Sequence, residues 1–189
     1  MNLFSESLLS RNLIIYILKF LIAFCILYFG TLAIIGLAAP GNYYSDFIAM
    51  HLNFVSWLRA SLLQTAKLIL SLFGHVVYFE NDFVIRLQSG TGIRMVYSCV
   101  GYGVMSFWGA FIIANTGSWL RKLKWITGGW LIIWCINVVR ICLVFIAANK
   151  GTVDYLGLDH HTWFNIAAYI FIFILIYFYD KSGKKYSKS

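Results

Sequence analysis

Trp125-Ile126-Thr127-Gly128-Gly129-Trp130-Leu131-Ile132-Ile133-Trp134-Cys135-Ile136-Asn137-Val138-Val139-Arg140-Ile141-Cys142-Leu143-Val144-Phe145-Ile146-Ala147-Ala148 decides the fold. It is apolar for long enough to cross the ~30 Å hydrocarbon core of a bilayer. It carries one charge, Arg140, with Asn137 one helical turn earlier. Three further runs have the same character: Asn12 to Ala38 with Lys19 near its start, Cys99 to Asn115 extended by Trp119, and Thr162 to Tyr179. Trp and Tyr gather near their ends, as an aromatic belt at a membrane interface requires.

Composition agrees. Of the 189 residues 61% are hydrophobic and 12% charged, whereas a soluble domain has about a quarter charged. One small core could not bury that apolar excess, so lipid must cover the rest. Pro40 is the single proline, so long helices are permitted almost everywhere. The expected architecture is an all-α integral membrane helix bundle. It forms one polytopic domain, 1–189, of four or five membrane helices, an amphipathic segment and a small outer β-hairpin. The first apolar run is too long for a signal-peptide core and lacks a clear cleavage site, so it is expected to stay as an anchor.

The net charge of +8 is concentrated. One basic cluster is Ser118-Trp119-Leu120-Arg121-Lys122-Leu123-Lys124; the other is the tail at 180–189, with Lys181, Lys184, Lys185 and Lys188. Both flank apolar runs, so they read as cytoplasmic anchors rather than nucleic-acid patches. Two spans separate them, so both lie inside. The span from Cys99 then runs inward, the span from Trp125 runs outward, and the last begins outside near His161. Arg11 and Lys19 put the amino end inside as well.

Parity then requires that Phe54 to Phe79 not cross. Leu58, Leu62, Ile69, Phe73 and Val77 recur there at helical spacing, among Arg59, Gln64, Lys67 and His75. The segment reads as an amphipathic helix, in the outer interface or packed into the bundle. A full crossing, with the amino end outside, is the other reading. Phe83-Val84-Ile85-Arg86-Leu87 and Ile93-Arg94-Met95-Val96-Tyr97 flank Ser89-Gly90-Thr91-Gly92, a hairpin signal leading into Cys99.

Four groups of residues invite chemistry. Cys99 lies at the junction of hairpin and helix, where the positive end of a helix dipole favours a thiolate. Gly101 and Gly103 follow it and permit close approach of another chain. By position alone, a small space-filling cysteine takes precedence. Arg140 within a span costs several kcal/mol unless paired or hydrated, so it reads as functional, with snorkelling or bundle packing as the alternative. His160 and His161 open the last span, where imidazole can exchange protons near neutral pH; Asp159 reads as the N-cap. His51 and His75 read as interfacial. Cys135 and Cys142 lie about 10 Å apart along one helix, too far for a disulfide. No C-x-x-C or H-E-x-x-H occurs, so neither a metal nor a cofactor is expected. The topology places Cys99, Arg140 and His161 at one membrane face. That set suits acyl transfer: thiolate attack, proton shuttling and oxyanion stabilisation.

From Val84 to Tyr179 these residues resemble the exosortase and archaeosortase family: Cys99 with Gly101, Asn137 with Arg140, and His161, in that order and at those span boundaries. His161-Thr162-Trp163-Phe164-Asn165 resembles the family's histidine-led helix start, which favours His161 over His160. The common family form has serine after the cysteine and an arginine shortly after the glycine; Val100 stands here, and no arginine follows Gly101. The chain is also shorter than the typical eight-span member.

The resemblance implies a multi-pass cysteine transpeptidase or protease of the bacterial cytoplasmic membrane, with its active site facing outward. Cys99, Arg140 and His161 would be catalytic, supported by Gly101, Asn137 and His160. Its substrates would be secreted proteins with a C-terminal signal of recognition motif, transmembrane helix and basic tail. Small residues such as Gly101, Gly103, Gly128 and Gly129 would admit the substrate helix. The rival classes are a non-catalytic membrane subunit and a small-molecule transporter, with Arg140 as a structural or pore-lining charge.

Overall fold

The computed structural model describes residues 3–41, 43–88, 90–150 and 160–186, with all their side chains except those at 3–10, 98, 150, 160–165, 167, 168 and 184–186. The elements run α1 (Leu3–Ala38), α2 (Asp46–His51), α3 (Phe54–Leu72), β1 (Val77–Asn81), β2 (Val84–Leu87), β3 (Gly92–Arg94), a 3-10 turn (Tyr97–Val100), α4 (Tyr102–Ala114), α5 (Trp119–Lys150) and α6 (His160–Tyr186). Among the described residues, Arg11–Ala38 and Trp119–Asn149 are long and apolar enough to cross a membrane. Almost none of the first is buried inside the protein, as expected of a surface covered by lipid.

The predicted span Cys99–Asn115 is a shorter helix. α4 has 13 residues, about 20 Å of rise, and starts beyond Gly101. α6 covers the predicted Thr162–Tyr179 and continues to Tyr186, so the basic tail is helical that far. The chain divides into two compact units, Met1–Asn53 with Tyr102–Trp130, and Phe54–Gly101 with Leu131–Ser189.

In the first unit α1 packs on α4. Phe20, Phe24 and Tyr28, spaced at four residues, form a stacked ladder on α1. Phe107 meets Phe20 edge-on at 5.3 Å, and Tyr102 meets Tyr28 at 5.6 Å. Trp108 is fully buried and donates its indole N–H to the Trp125 carbonyl at 2.9 Å. Its ring lies where a side chain on Gly129 would stand, so Gly129 seats a tryptophan of its own unit. Trp130 likewise donates to the Met105 carbonyl at 3.0 Å. Of the glycines expected to admit a substrate helix, Gly103 faces Tyr28 and Gly101 faces Asn137, while Gly128 alone has open space beside it.

Lys122, part of the basic cluster expected as a cytoplasmic anchor, is 8% exposed. It donates to the Ile113 carbonyl at 2.8 Å. A cation there satisfies an end carbonyl of α4 and complements the negative end of its dipole.

In the second unit α3 is amphipathic, but its buried stripe differs from the expected one. Val55, Arg59, Leu62, Leu63, Ala66 and Leu70 face inward, while Leu58 and Ile69 are half-buried and Phe73 is 75% exposed. Apolar residues occur on several faces of this helix, so hydrophobicity did not single out one stripe; packing did. α3 ends at Gly74, whose φ of 84° is the left-handed value that glycine adopts freely. His75 N–H then bonds to the Leu70 carbonyl at 3.0 Å, closing the C-terminus.

Val77 therefore starts a strand instead of continuing the helix. The expected hairpin is present as β2 and β3, antiparallel with Ile85 opposite Ile93. β1 adds a third strand on the other side of β2, with Phe79 opposite Ile85 and an irregularity before Asn81. The N–H of Phe83 bonds to Asn81 Oδ1 at 2.9 Å, fixing the turn. Glu80 accepts from Arg86 at 2.7 Å; that hydrogen bond, then the carboxylate's charge, raises the Arg86 pKa.

Candidate active site

The chain from β3 to Cys99 is held at each step. Met95, 3% exposed, donates its N–H to the Phe83 carbonyl at 2.7 Å. The strand ends there, and Tyr97–Val100 winds into the 3-10 turn. Cys99 N–H bonds to the Val96 carbonyl at 2.9 Å, and Val100 is fully buried. Gly101 then turns with φ 86°. Cys99 thus sits in a separate turn, and the expected position at the N-terminus of a long helix is corrected. The left-handed Gly101 separates that turn along the chain from the start of α4.

The loop between β2 and β3 is tied to α5. Asn149 Oδ1 accepts from Thr91 N–H at 2.9 Å, and its amide donates to the Phe145 carbonyl at 2.9 Å. α3 is tied to the same helix. Trp134 donates to Ser61 Oγ at 3.0 Å, and Cys142 Sγ lies 3.8 Å from the Ala66 carbonyl. Ile133, Val138, Ile141, Cys142 and Phe145 form the buried face of α5 here.

On this helix Asn137 and Arg140 reach the cysteine turn. Asn137 is 1% exposed and donates its amide to the Val100 carbonyl at 3.2 Å. It lies so close to Gly101 that any Cβ there would collide with the amide. One turn later, Arg140 Nη2 stands 3.7 Å from Cys99 Sγ, within hydrogen-bonding reach of sulfur. Both groups are partly buried. A guanidinium at that distance puts a fixed positive charge beside the sulfur. Four expected site residues therefore form two contacts, Cys99 with Arg140 and Gly101 with Asn137. His160 and His161 are the first two residues of α6; their side chains lie outside the described set, as does Asp159.

Cys25 and Cys135 are exposed and Cys142 is buried. Arg59 is the residue that sequence reasoning missed. It is 5% exposed on the buried face of α3. Its guanidinium carbon lies 3.7 Å from the Phe83 ring centroid and 4.9 Å from that of Tyr97, within the cysteine turn. Its signal was faint: Val55, Arg59, Leu62, Leu63, Ala66 and Leu70 follow helical periodicity, with a charge in the apolar stripe.

A membrane protein with a thiol and a guanidinium in contact at a helix junction defines the class. Residues 4–178 match the family model described as transmembrane exosortase. The chain belongs to the transmembrane exosortase family. No curated protein and no solved structure matches it.

Proposed function

We propose that this exosortase-family protein is a membrane-embedded cysteine transpeptidase or protease. It cleaves C-terminal sorting signals of secreted proteins at the outer face of the bacterial cytoplasmic membrane. The observation that carries this reading is the 3.7 Å approach of Arg140 Nη2 to Cys99 Sγ.

The Cys99 thiolate attacks the scissile carbonyl carbon. Negative charge moves to the carbonyl oxygen, where the neighbouring Arg140 guanidinium stabilises it. The intermediate collapses, the C–N bond breaks, and His161 gives its proton to the leaving amine. The thioester on Cys99 is then opened by an acceptor amine or by water. Asn137 and Gly101 are the positioning groups, because they hold the backbone of the cysteine turn against α5. His160 is a supporting group beside the proton donor. The partners are the signal-bearing protein and the bilayer; no cofactor takes part in these steps.

The test is co-expression with a protein ending in a candidate tripartite signal, following its change in size. Cys99→Ala and Arg140→Ala each abolish processing, while Cys135→Ala leaves it intact. For Arg140→Ala, loss of an oxyanion donor predicts a fall of about 10²–10³ in rate at normal protein level. Processing by Cys99→Ala at the normal rate overturns the mechanism. A fall in protein level on replacing Arg140 supports instead a structural charge in a non-catalytic subunit.

A further inference from the structure

The three-stranded sheet has two outer edges, and they differ. β1 is broken by the irregularity before Asn81, and its Glu80 is tied across to Arg86 at 2.7 Å. A bulge and charged side chains close an edge to other chains. β3 instead pairs with β2 without a shift from Gly92 to Arg94. Met95 N–H bonds to the Phe83 carbonyl, and Ile93 stands opposite Ile85. Those alternate residues turn their backbone groups toward β2, so the residues between them turn theirs away. Gly92 and Arg94 therefore present N–H and C=O groups on the outer edge, where they find no backbone partner among the described residues. Arg94 is exposed and Val96 is 43% exposed, so this edge is open.

The edge is held at both ends. Thr91 N–H bonds to Asn149 Oδ1 at 2.9 Å, and Met95 N–H to the Phe83 carbonyl at 2.7 Å. A fixed edge loses little freedom when a partner pairs with it. It also leads straight to the thiol. Cys99 follows Arg94 by five residues, a stretch that spans at most about 17 Å. A strand paired on Arg94 is thus within about five extended residues of the sulfur.

Main-chain groups in a row fit one kind of partner, an extended peptide. β3 has three residues, and the few hydrogen bonds they offer are weak support for a dimer of copies. They suffice to align a peptide that its own membrane helix already keeps nearby, because tethering raises its effective concentration. The residues after the scissile bond lead into that helix, so the extended ones are those before it. Running toward Cys99 beside β3, they lie parallel to it.

We propose that the outer edge of β3, at Gly92 and Arg94, binds the residues before the scissile bond of the peptide substrate as an added parallel strand. This rests on the peptide-cleaving reading above. The edge aligns the peptide through its main chain; Cys99 and Arg140 carry out the chemistry.

The experiment uses full-length protein in detergent. A secreted reporter ending in an apolar helix and a lysine-rich tail, with the eight positions before the helix randomised, is first cleaved by the wild type. The probe is the synthetic peptide of one cleaved clone, N-methylated at one backbone position at a time. The Gly92 and Arg94 carbonyls accept from peptide N–H groups two residues apart. Methylation at two alternate positions before the scissile bond should therefore lower cleavage about three- to tenfold each, while the position between them tolerates it. Arg94→Pro removes the outward N–H and leaves the bonds to β2, as an edge strand allows. It should cleave the unmethylated peptide about three- to tenfold more slowly than Arg94→Ala, which keeps that N–H.

Three results overturn the proposal while leaving the cleavage reading intact. The first is a methylation profile without the two-residue alternation, which needs no variant to fold. The second is equal cleavage by Arg94→Pro and Arg94→Ala at equal protein level. The third is conversion of a dimer to a monomer by Arg94→Pro with no alternation in the profile, which would make the partner a second copy of this chain. If the wild type cleaves no clone, the peptide-cleaving reading fails, and this inference with it.

Discussion

Asn137 donates its side-chain amide to the carbonyl of Val100 at 3.2 Å, so α5 grips the backbone one residue beyond Cys99. Val100 is fully buried and Asn137 is 1% exposed. Asn137→Ala leaves that carbonyl without its partner, at a cost of about 1–3 kcal/mol. Thermal unfolding in detergent should show the loss, and processing should fall further than stability, because the displaced turn carries the thiol. Asn137→Asp should be worse, since a carboxylate oxygen faces a carbonyl oxygen. Unchanged processing by Asn137→Ala would remove Asn137 from the positioning role.

Gly101→Ala meets two obstacles. A φ of 86° costs a non-glycine residue about 1–2 kcal/mol, and the new methyl collides with the Asn137 amide. Processing should be lost while Cys99 remains present. Combining it with Asn137→Ala removes the collision but not the backbone strain, so the double variant should lose less stability than the two single losses added together. Strict additivity would mean that the two residues do not interact.

Trp108 anchors the first unit. Trp108→Phe deletes the hydrogen bond to the Trp125 carbonyl at about 0.5–1.5 kcal/mol. Trp108→Ala empties a fully buried indole site and should cost about 3–5 kcal/mol. A melting series on the detergent-solubilised protein ranks wild type, phenylalanine and alanine in that order. Equal melting of the wild type and both variants would contradict the packing described.

The cysteines should separate by access. Cys142 is buried, so a membrane-permeant maleimide should label it only on unfolding. Cys99 is intermediate, and the positive Arg140 guanidinium stands 3.7 Å from its sulfur, where it can stabilise the charge that develops as the sulfur reacts. It should therefore react faster in wild type than in Arg140→Ala. Equal rates in those two proteins would contradict activation by Arg140.

The two histidines at the start of α6 should differ. Replacing His161 should slow thioester formation on Cys99 far more than replacing His160, as read by trapping with a substrate-like electrophile. Equal slowing would sink the assignment of the proton donor.

The long helices were legible from composition. Apolar runs such as Asn12–Ala38 and Trp125–Ala148 need only length and absence of charge to be recognised, and α1 and α5 lie over them. The β2–β3 hairpin was legible from β-prone residues around glycines. β1 was not, because Val77 fitted a helical stripe extended across Gly74, and the break is a backbone conformation rather than a change of hydrophobicity. The cysteine turn was misjudged for the same reason: Gly101 ends one helix before α4 begins.

By itself the sequence determined that the chain lives in a membrane, and it singled out Cys99, Arg140, Asn137 and Gly101, because charge and small residues among long apolar runs stand out locally. Only the tertiary structure decided that α5 reaches a cysteine 41 positions away to place Arg140 on its sulfur, and that Arg59 faces inward beneath two aromatic rings. Contacts between residues distant in sequence depend on how helices rotate and pack. In a chain apolar on many faces, hydrophobic periodicity leaves that rotation open until the side chains interlock.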